Sequence, residues 1–570
     1  MNRQKYALVL SAVATLVALA LGCHAEANDP AGQAGELSDP VRRENAISNI
    51  QRLYSDALAN AGGDRAAAAP RAVADATVER LTATYNEHPE DVNNGQRILD
   101  VLVEMRDPRS LPALTKALEW RAEVSEEHAI RAARVLQQIE LDDAQKGQVI
   151  TALSASLDRV TQNRGVDNRM RIEFLRALGS FRDPRATPAL TRVLMRQSES
   201  QAFLINRLAA EQMGKVADPA SAGSLIQALY LFDPNNPGMR MNDVAAQALV
   251  HVGRPALDPL LATLRGENAE ANQIATAYIA AVRQRAPDAA AQMSPQMIVS
   301  NDASFALGQL GYREAIDQLI TESQTGAGSD TLAAPDAART MGAAIGLVSI
   351  NRTEADTARI RDALLAVFNR VELPSKMQLL VGMQHFMDPG LLPFFLEKAQ
   401  RPRNADDEIP DMRNLAYRAY AFLANGTEMA RLRALRTAEP EGDTRSWWEE
   451  YDAVLDAADQ CNEDLACWQG KLTDANPLVV RKAAYMVARY GRGNPAAVQA
   501  LVAQIGHADE EVRGEVLYAL DYAASNGSPE AVARIDQLAE QESGRAIWSH
   551  IESLARAIQA RLAARSVPAS

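Results

Sequence analysis

Three cysteines stand in the 570-residue chain, and two of them, Cys461 and Cys467, are close enough in sequence to oxidise to a disulfide. On one continuous helix, residues six apart point ~240° away from each other, so a bridge requires the chain to turn at Asn462 to Asp464. In a chain that leaves the cytoplasm, an even, closely spaced pair reads as a disulfide. Closing so short a loop stabilises by about 2 kcal/mol, which makes it a local staple. The alternative is two free buried thiols. No neighbouring His or Cys completes a four-ligand metal site.

The histidines at 24, 88, 128, 251, 385, 507 and 550 are scattered, and none stands at metal-ligand spacing to another. They read as surface or packing residues. There is no Gly-x-Ser-x-Gly elbow, and Gly214-Lys215 lacks the upstream glycine of a phosphate loop. Adjacent carboxylates such as Glu126-Glu127 and Glu449-Glu450 read as a solvated face. The doublet Trp447-Trp448 has the chemistry to stack on a sugar ring. Yet Ser446 and Glu449 stand at capping-box spacing, which predicts both tryptophans in a first helical turn with at least one packed inward. No catalytic residue, metal or cofactor follows.

Arg3 and Lys5 precede an apolar run from Tyr6 to Leu21, which ends in Ala20-Leu21-Gly22-Cys23. This reads as an export signal over 1–22. Its end resembles the lipobox of bacterial lipoproteins, although Ala20 stands where Leu is usual. The resemblance implies cleavage before Cys23 and a diacylglycerol on its thiol. The alternative is an uncleaved anchor, because roughly 16 to 18 apolar residues barely cross a bilayer. Acyl chains insert with about 0.8 kcal/mol per methylene, so two or three hold firmly. Residue 24 is His rather than Asp, which by resemblance to enteric lipoproteins points to the outer membrane, facing the periplasm. Residues 23–45 are small, polar and turn-rich, the composition of a flexible tether. Globular structure is expected from near Asn45.

What must position any site is a repeat. Residues 105–118 and 181–194 match at 9 of 14 positions and lie 76 residues apart, two steps of 38. Such a period marks a stacking unit. Each copy reads as an amphipathic helix ending at a small or Gly position, an Asp-Pro turn, then a second helix with Leu at helical spacing. Near 181 these parts are Leu175, Leu178 and Gly179, then Asp183-Pro184, then Leu190 and Leu194. Gly permits a left-handed cap, and Pro184 cannot continue a helix. Divergent copies follow at Asp218-Pro219, Val252-Gly253, Ala306–Gly311, Asp388-Pro389, Asn494-Pro495 and Ser528-Pro529.

These residues resemble HEAT repeats. The resemblance implies an all-α fold, an α-solenoid of stacked antiparallel helix pairs in a HEAT/armadillo-like superhelix. It divides the chain into an N-terminal helical cap at 46–97, repeats at 98–437, an acidic loop and helical segment with the cysteine pair at 438–473, and further repeats at 474–565. Turn-rich stretches at 322–336 and 400–411 read as loops. Hydrophobic residues make up 47% but aromatics only 5%, which suits close helix-on-helix packing. The formal charge is −14, and loss of Arg3 and Lys5 with the leader makes it −14 − 2 = −16. Nucleic acid is thereby an unsuitable partner.

The resemblance also implies that second helices line a concave groove, where Lys116, Arg192 and Gln227 form a mixed polar face suited to protein partners. A lipid-anchored, non-catalytic scaffold of the cell envelope is the expected function. A spacer without a specific ligand is the alternative, and a lyase resembling those that attach bilins is a remote one.

Overall fold

The computed structural model describes residues 25–119, 122–160, 162–196, 201–328, 332–400, 410–543 and 550–566. The fold is the predicted all-α solenoid of paired helices. The strand content among the described residues is a hairpin of Phe232–Asp233 against Asn236–Arg240. Contacts divide the chain into two units. One runs to Leu190 and includes Arg196–Ile205, and the other holds Thr191–Met195 and everything from Asn206. The leader at 1–22 and Cys23 lie outside the described residues, as do parts of the loops expected at 322–336 and 400–411.

In the first unit, helices Arg43–Asn60, Val92–Met105, Ala122–Leu136 and Gly165–Ser180 pack in one row. Ala68–Glu87, Leu111–Ala117 and Asp143–Arg159 pack in a second. Ile50, Tyr54, Leu81, Leu102, Leu114, Leu153 and Phe174 fill the space between neighbours. Residues expected as a flexible tether are folded from 25 onward. Pro30–Glu36 is a helix lying on Arg43–Asn60 and Ala68–Glu87, with Leu37 fully buried. Buried polar groups hold the segment there. The Gln33 amide donates to the Ala25 and Glu26 carbonyls at 3.2 and 3.1 Å, and Arg43 Nε donates to the Leu37 carbonyl at 2.9 Å.

Four times among the described residues the chain makes the same turn. Arg106, Arg182, Ala217 and Met387 adopt left-handed backbone, with φ of 54°, 49°, 54° and 54°, immediately before Asp-Pro. Each Asp side chain then accepts the N–H two residues on, at 2.9, 2.9, 3.0 and 2.9 Å. The sequence reading gave the left-handed place near 181 to glycine, but Gly179 stays inside its helix. A non-glycine residue in this conformation costs roughly 1–2 kcal/mol. The Asp cap and the fixed Pro φ offset that cost.

In the second unit eight first helices stand side by side. They are α1 (Asn242–Val252), α2 (Pro295–Leu310), α3 (Ala334–Ser349), α4 (Leu373–His385), α5 (Pro410–Leu423), α6 (Pro477–Tyr490), α7 (Glu510–Ala523) and α8 (His550–Arg565). Each packs on the next, and α8 packs on α1 and α2, so the row closes into a ring. Arg561 of α8 marks the closure, donating to the Gln309 carbonyl at 3.3 Å. Second helices such as Ile316–Ser323, Leu392–Gln400 and Pro529–Ser543 pack around the outside.

First helices, rather than second ones, therefore line the interior. An inner ring has the smaller circumference, and only helices faced with small residues approach closely enough to form it. The α2–α3 pair shows this directly. A Cβ on Gly308 would lie 2.8 Å from the Gly346 carbonyl oxygen, and one on Gly346 would lie 2.6 Å from that of Ser304.

Gly308→Ala should therefore destabilise the second unit by about 1–3 kcal/mol, since overpacking must move backbone. Gly470→Ala, in the outer helix Leu465–Lys471 with nothing within 4 Å of its Cβ position, should stabilise by about 0.5–1 kcal/mol. Chemical denaturation followed by far-UV circular dichroism checks both, and equal effects would contradict the close α2–α3 approach.

Candidate ligand cavity inside the helical ring

Half of the ring's interior is filled and half is open. The filled half is a polar and aromatic cluster drawn from α4 to α7. Tyr485 donates its hydroxyl to Glu515 Oε2 at 2.7 Å, Arg481 Nη2 donates to Oε1 at 3.1 Å, and Gln384 Nε2 donates to the Tyr485 oxygen at 2.9 Å. His385 Nε2 lies 3.3 Å from Glu515 Oε2, and its ring stacks on Tyr518 with centroids 3.8 Å apart. Phe422 stacks on Tyr485 at 5.6 Å, under the Arg481 guanidinium. Burial raises the Glu515 pKa, but His385, Arg481 and Tyr485 outweigh it and hold the carboxyl down at about 2.

The open half lies between α1, α2, α3, α4 and α8, and reaches His385 and Tyr518 of that cluster. One cavity of about 560 Å³ sits at the N-terminal ends of α1 to α4 and adjoins another of about 460 Å³ deeper in. Asp243, Phe305, Ile345 and Gln378 line both. Phe305, Met341, Ile345, Leu379 and Val381 supply an apolar wall. Asn242, Gln247, Asn301, Gln309 and Gln378 add carboxamides, which both donate and accept hydrogen bonds. At the mouth, Asp243 pairs with Arg207 at 2.7 Å, and Asp302 pairs with Arg240. Burial raises the Asp302 pKa above its ordinary value even against that guanidinium.

Of the sites expected from sequence, none lines this cavity. Cys23 is outside the described residues. Cys461 ends helix Asp452–Cys461, Cys467 lies in Leu465–Lys471, and their sulfurs are bonded with Cα atoms 5.3 Å apart. The chain turns between them at Asn462, whose φ is 47°. Lys116 is exposed and pairs with Glu119 at 2.7 Å. Arg192 is exposed in helix Thr187–Leu194, and Gln227 donates to Glu270. Gln227 lies on a second helix, away from the ring cavity.

Trp448 is fully buried, stacked on Tyr417 at 4.5 Å and donating from Nε1 to Asn414 at 3.0 Å. The helix begins at Asp443 after Gly442, however, so Ser446 is not its cap. Glu449 instead accepts from Arg445 at 3.0 Å. His128 is buried against the Tyr85 hydroxyl at 2.9 Å, and burial lowers its pKa to about 4. Among the described residues, no three His, Cys, Asp or Glu side chains are grouped to hold a metal ion, and no helix is long and apolar enough to cross a membrane.

This is a HEAT-like helical-repeat protein. Residues 170–194 match the PBS lyase HEAT-like repeat, a stretch that includes the turn at Arg182. Among curated proteins, no sequence matches the chain. Solved structures similar to it include an engineered protein, at 13% identity and a TM-score of 0.18, covering 95% of this chain and 99% of that one. Another is the karyopherin Kap121p bound to the extreme C-terminus of the protein phosphatase Cdc14p, at 11% identity and a TM-score of 0.23, covering 94% of this chain and 71% of that one.

The Glu515 cluster carries a pH signature. Its folded pKa of about 2 lies below the ordinary 4.5, so its stabilisation is complete above about pH 4.5 and is lost as pH falls toward 2. Glu515→Gln should destabilise strongly near neutrality, and its deficit against the parent should shrink between about pH 5 and about pH 3. Urea unfolding across that range checks this, and a constant deficit would contradict it.

Proposed function

We propose that the chain is an exported scaffold, lipid-anchored through Cys23 to the outer membrane and facing the periplasm, which binds a segment of a protein partner without catalysis. The cavity between α1 and α4 carries the partner reading. Its apolar wall of Phe305, Ile345, Leu379 and Val381 suits hydrophobic side chains, and the carboxamides around it match the donors and acceptors of a peptide backbone. The scaffold character of the helical repeats agrees with this.

The anchor reading is supported by the leader that ends in Ala20-Leu21-Gly22-Cys23. The bonded pair Cys461–Cys467 suits an oxidising compartment. His385 and Tyr485 both engage the Glu515 carboxylate, as members of a structural cluster do.

Two variants test the reading in the source cell. Cys23→Ser should abolish incorporation of a labelled fatty acid into the protein, and labelling equal to the parent, or no labelling of the parent, would remove lipidation at Cys23. A photo-crosslinking residue at Phe305 should give a discrete protein adduct that the same probe at Gln227 does not give. Absence of an adduct at Phe305, or an equal one at Gln227, would place partner binding elsewhere.

A further inference from the structure

At the other end of the ring, where α3, α4, α7 and α8 terminate, lies a small cleft of about 40 Å³. One water occupies ~10–15 Å³ by this measure, so the cleft has room for one oxyanion group and not for a bulky ligand. Four guanidiniums face it, from Arg352, Arg492, Arg561 and Arg565, against the single carboxylate of Asp521. That carboxylate is already taken, by Arg561 at 2.5 Å and Arg565 at 2.9 Å.

Arg352 and Arg492 have no carboxylate within 4.0 Å among the described residues. Arg352 donates to the Phe386 carbonyl, and its guanidinium lies 3.7 Å from the Phe386 ring centroid. Arg492 donates to the Arg352 carbonyl at 3.2 Å. Both guanidiniums flank the Tyr522 ring, at 5.8 and 4.6 Å. Aromatic faces and carbonyls orient the two cations, but they supply no full counter-charge. Burial lowers the Arg352 pKa to about 10, and the neighbouring Arg492 also acts to lower it.

We propose that Arg352 and Arg492 form a binding site for a phosphate group at this end of the ring. A phosphate monoester or free phosphate carries about −1.5 to −2 at neutral pH, which balances two guanidiniums, and its oxygens can serve two planar forks at once. A carboxylate would leave one cation uncompensated. Ser525 and Asn351 line the same cleft and add polar groups beside the arginines. Arg492 is exposed, so the site is reached from solvent. The cleft shares Val348, Ser349, His385 and Tyr518 with the deeper of the two cavities, but none of its four arginines lines that cavity, so the phosphate reading stands on different side chains from the partner reading.

The test uses the chain from residue 24 onward, without its lipid. Calorimetric titration with inorganic phosphate, against chloride at equal ionic strength, is one arm, and sedimentation with vesicles containing phosphatidic acid is the other. Saturable binding to inorganic phosphate supports a site for free phosphate or small phosphomonoesters. Binding to the vesicles alone supports a site for a lipid phosphate. In either arm, Arg492→Gln should weaken binding at least about tenfold, and it is a surface change that leaves folding intact. Arg352→Gln should do the same where circular dichroism shows it folded. No binding beyond the chloride control in both arms, or binding unchanged by Arg492→Gln, would overturn the proposal.

Discussion

The second unit depends on one geometric constraint, that helices lining a closed ring run in the same direction. Their N-terminal N–H groups gather at one mouth and their C-terminal carbonyls at the other, so like partial charges are brought together at each end. The sequence meets this with charge. Asp243 and Glu372 stand at the N-terminal starts of α1 and α4, while Arg352, Arg561 and Arg565 stand at the C-terminal side. The arginines do more than screen. Arg352 donates to the carbonyl of Phe386, just past α4, Arg561 to that of Gln309 in α2, and Arg565 to that of Asp521 in α7. Carbonyls that helix ends leave unpaired are thereby satisfied by side chains from other helices.

The same constraint explains what was legible in the sequence and what was not. The Asp-Pro turns were legible because everything they need is local. Arg109 and Arg185 reach back to Asp107 and Asp183 with the same distances, Nε at 2.9 Å and Nη2 at 2.6 Å. Each also reaches an acid on a helix earlier in the chain, Asp75 or Asp143, at 2.7 Å. The choice of the left-handed residue was missed because the Asp side chain, and not a glycine, fixes the turn. The cap of the Trp448 helix was missed for a related reason. Ser446 and Glu449 have the right spacing, but Arg445 takes Glu449, and Gly442 already begins the helix.

Ring closure left no local trace. Arg561 and Gln309 are 252 residues apart, and a 38-residue period contains no information about where a row of pairs will meet itself. The Glu515 cluster was equally invisible, since Gln384, Arg418, Tyr485 and Glu515 come from four helices and share no spacing. Polarity at Glu515 and Arg481 reads in sequence as an exposed face, yet both side chains are buried. The folding of residues 25–45 followed the same pattern. Their composition suits a tether, and it took the buried Arg43, paired with Asp91 at 3.1 Å, to fasten them down.

Small residues let the inner helices approach, but they also leave the centre of the ring under-filled, because Ala and Gly project little volume inward. The chain resolves this unevenly. From α4 to α7 it spends Phe422, Tyr485, His385 and Tyr518 on the interior and binds them through a buried ion pair. Such a pair adds little net stability over an apolar replacement, because desolvating both charges offsets their attraction. Its directional bonds do hold α4, α6 and α7 in one register, as a greasy plug would not. From α1 to α4 no such filler is present, and the wall of Phe305, Ile345 and Val381 stays partly exposed inside the ring. The rigid half fixes the width of the open half, which is how a repeat built only for stacking comes to hold a cavity of defined shape.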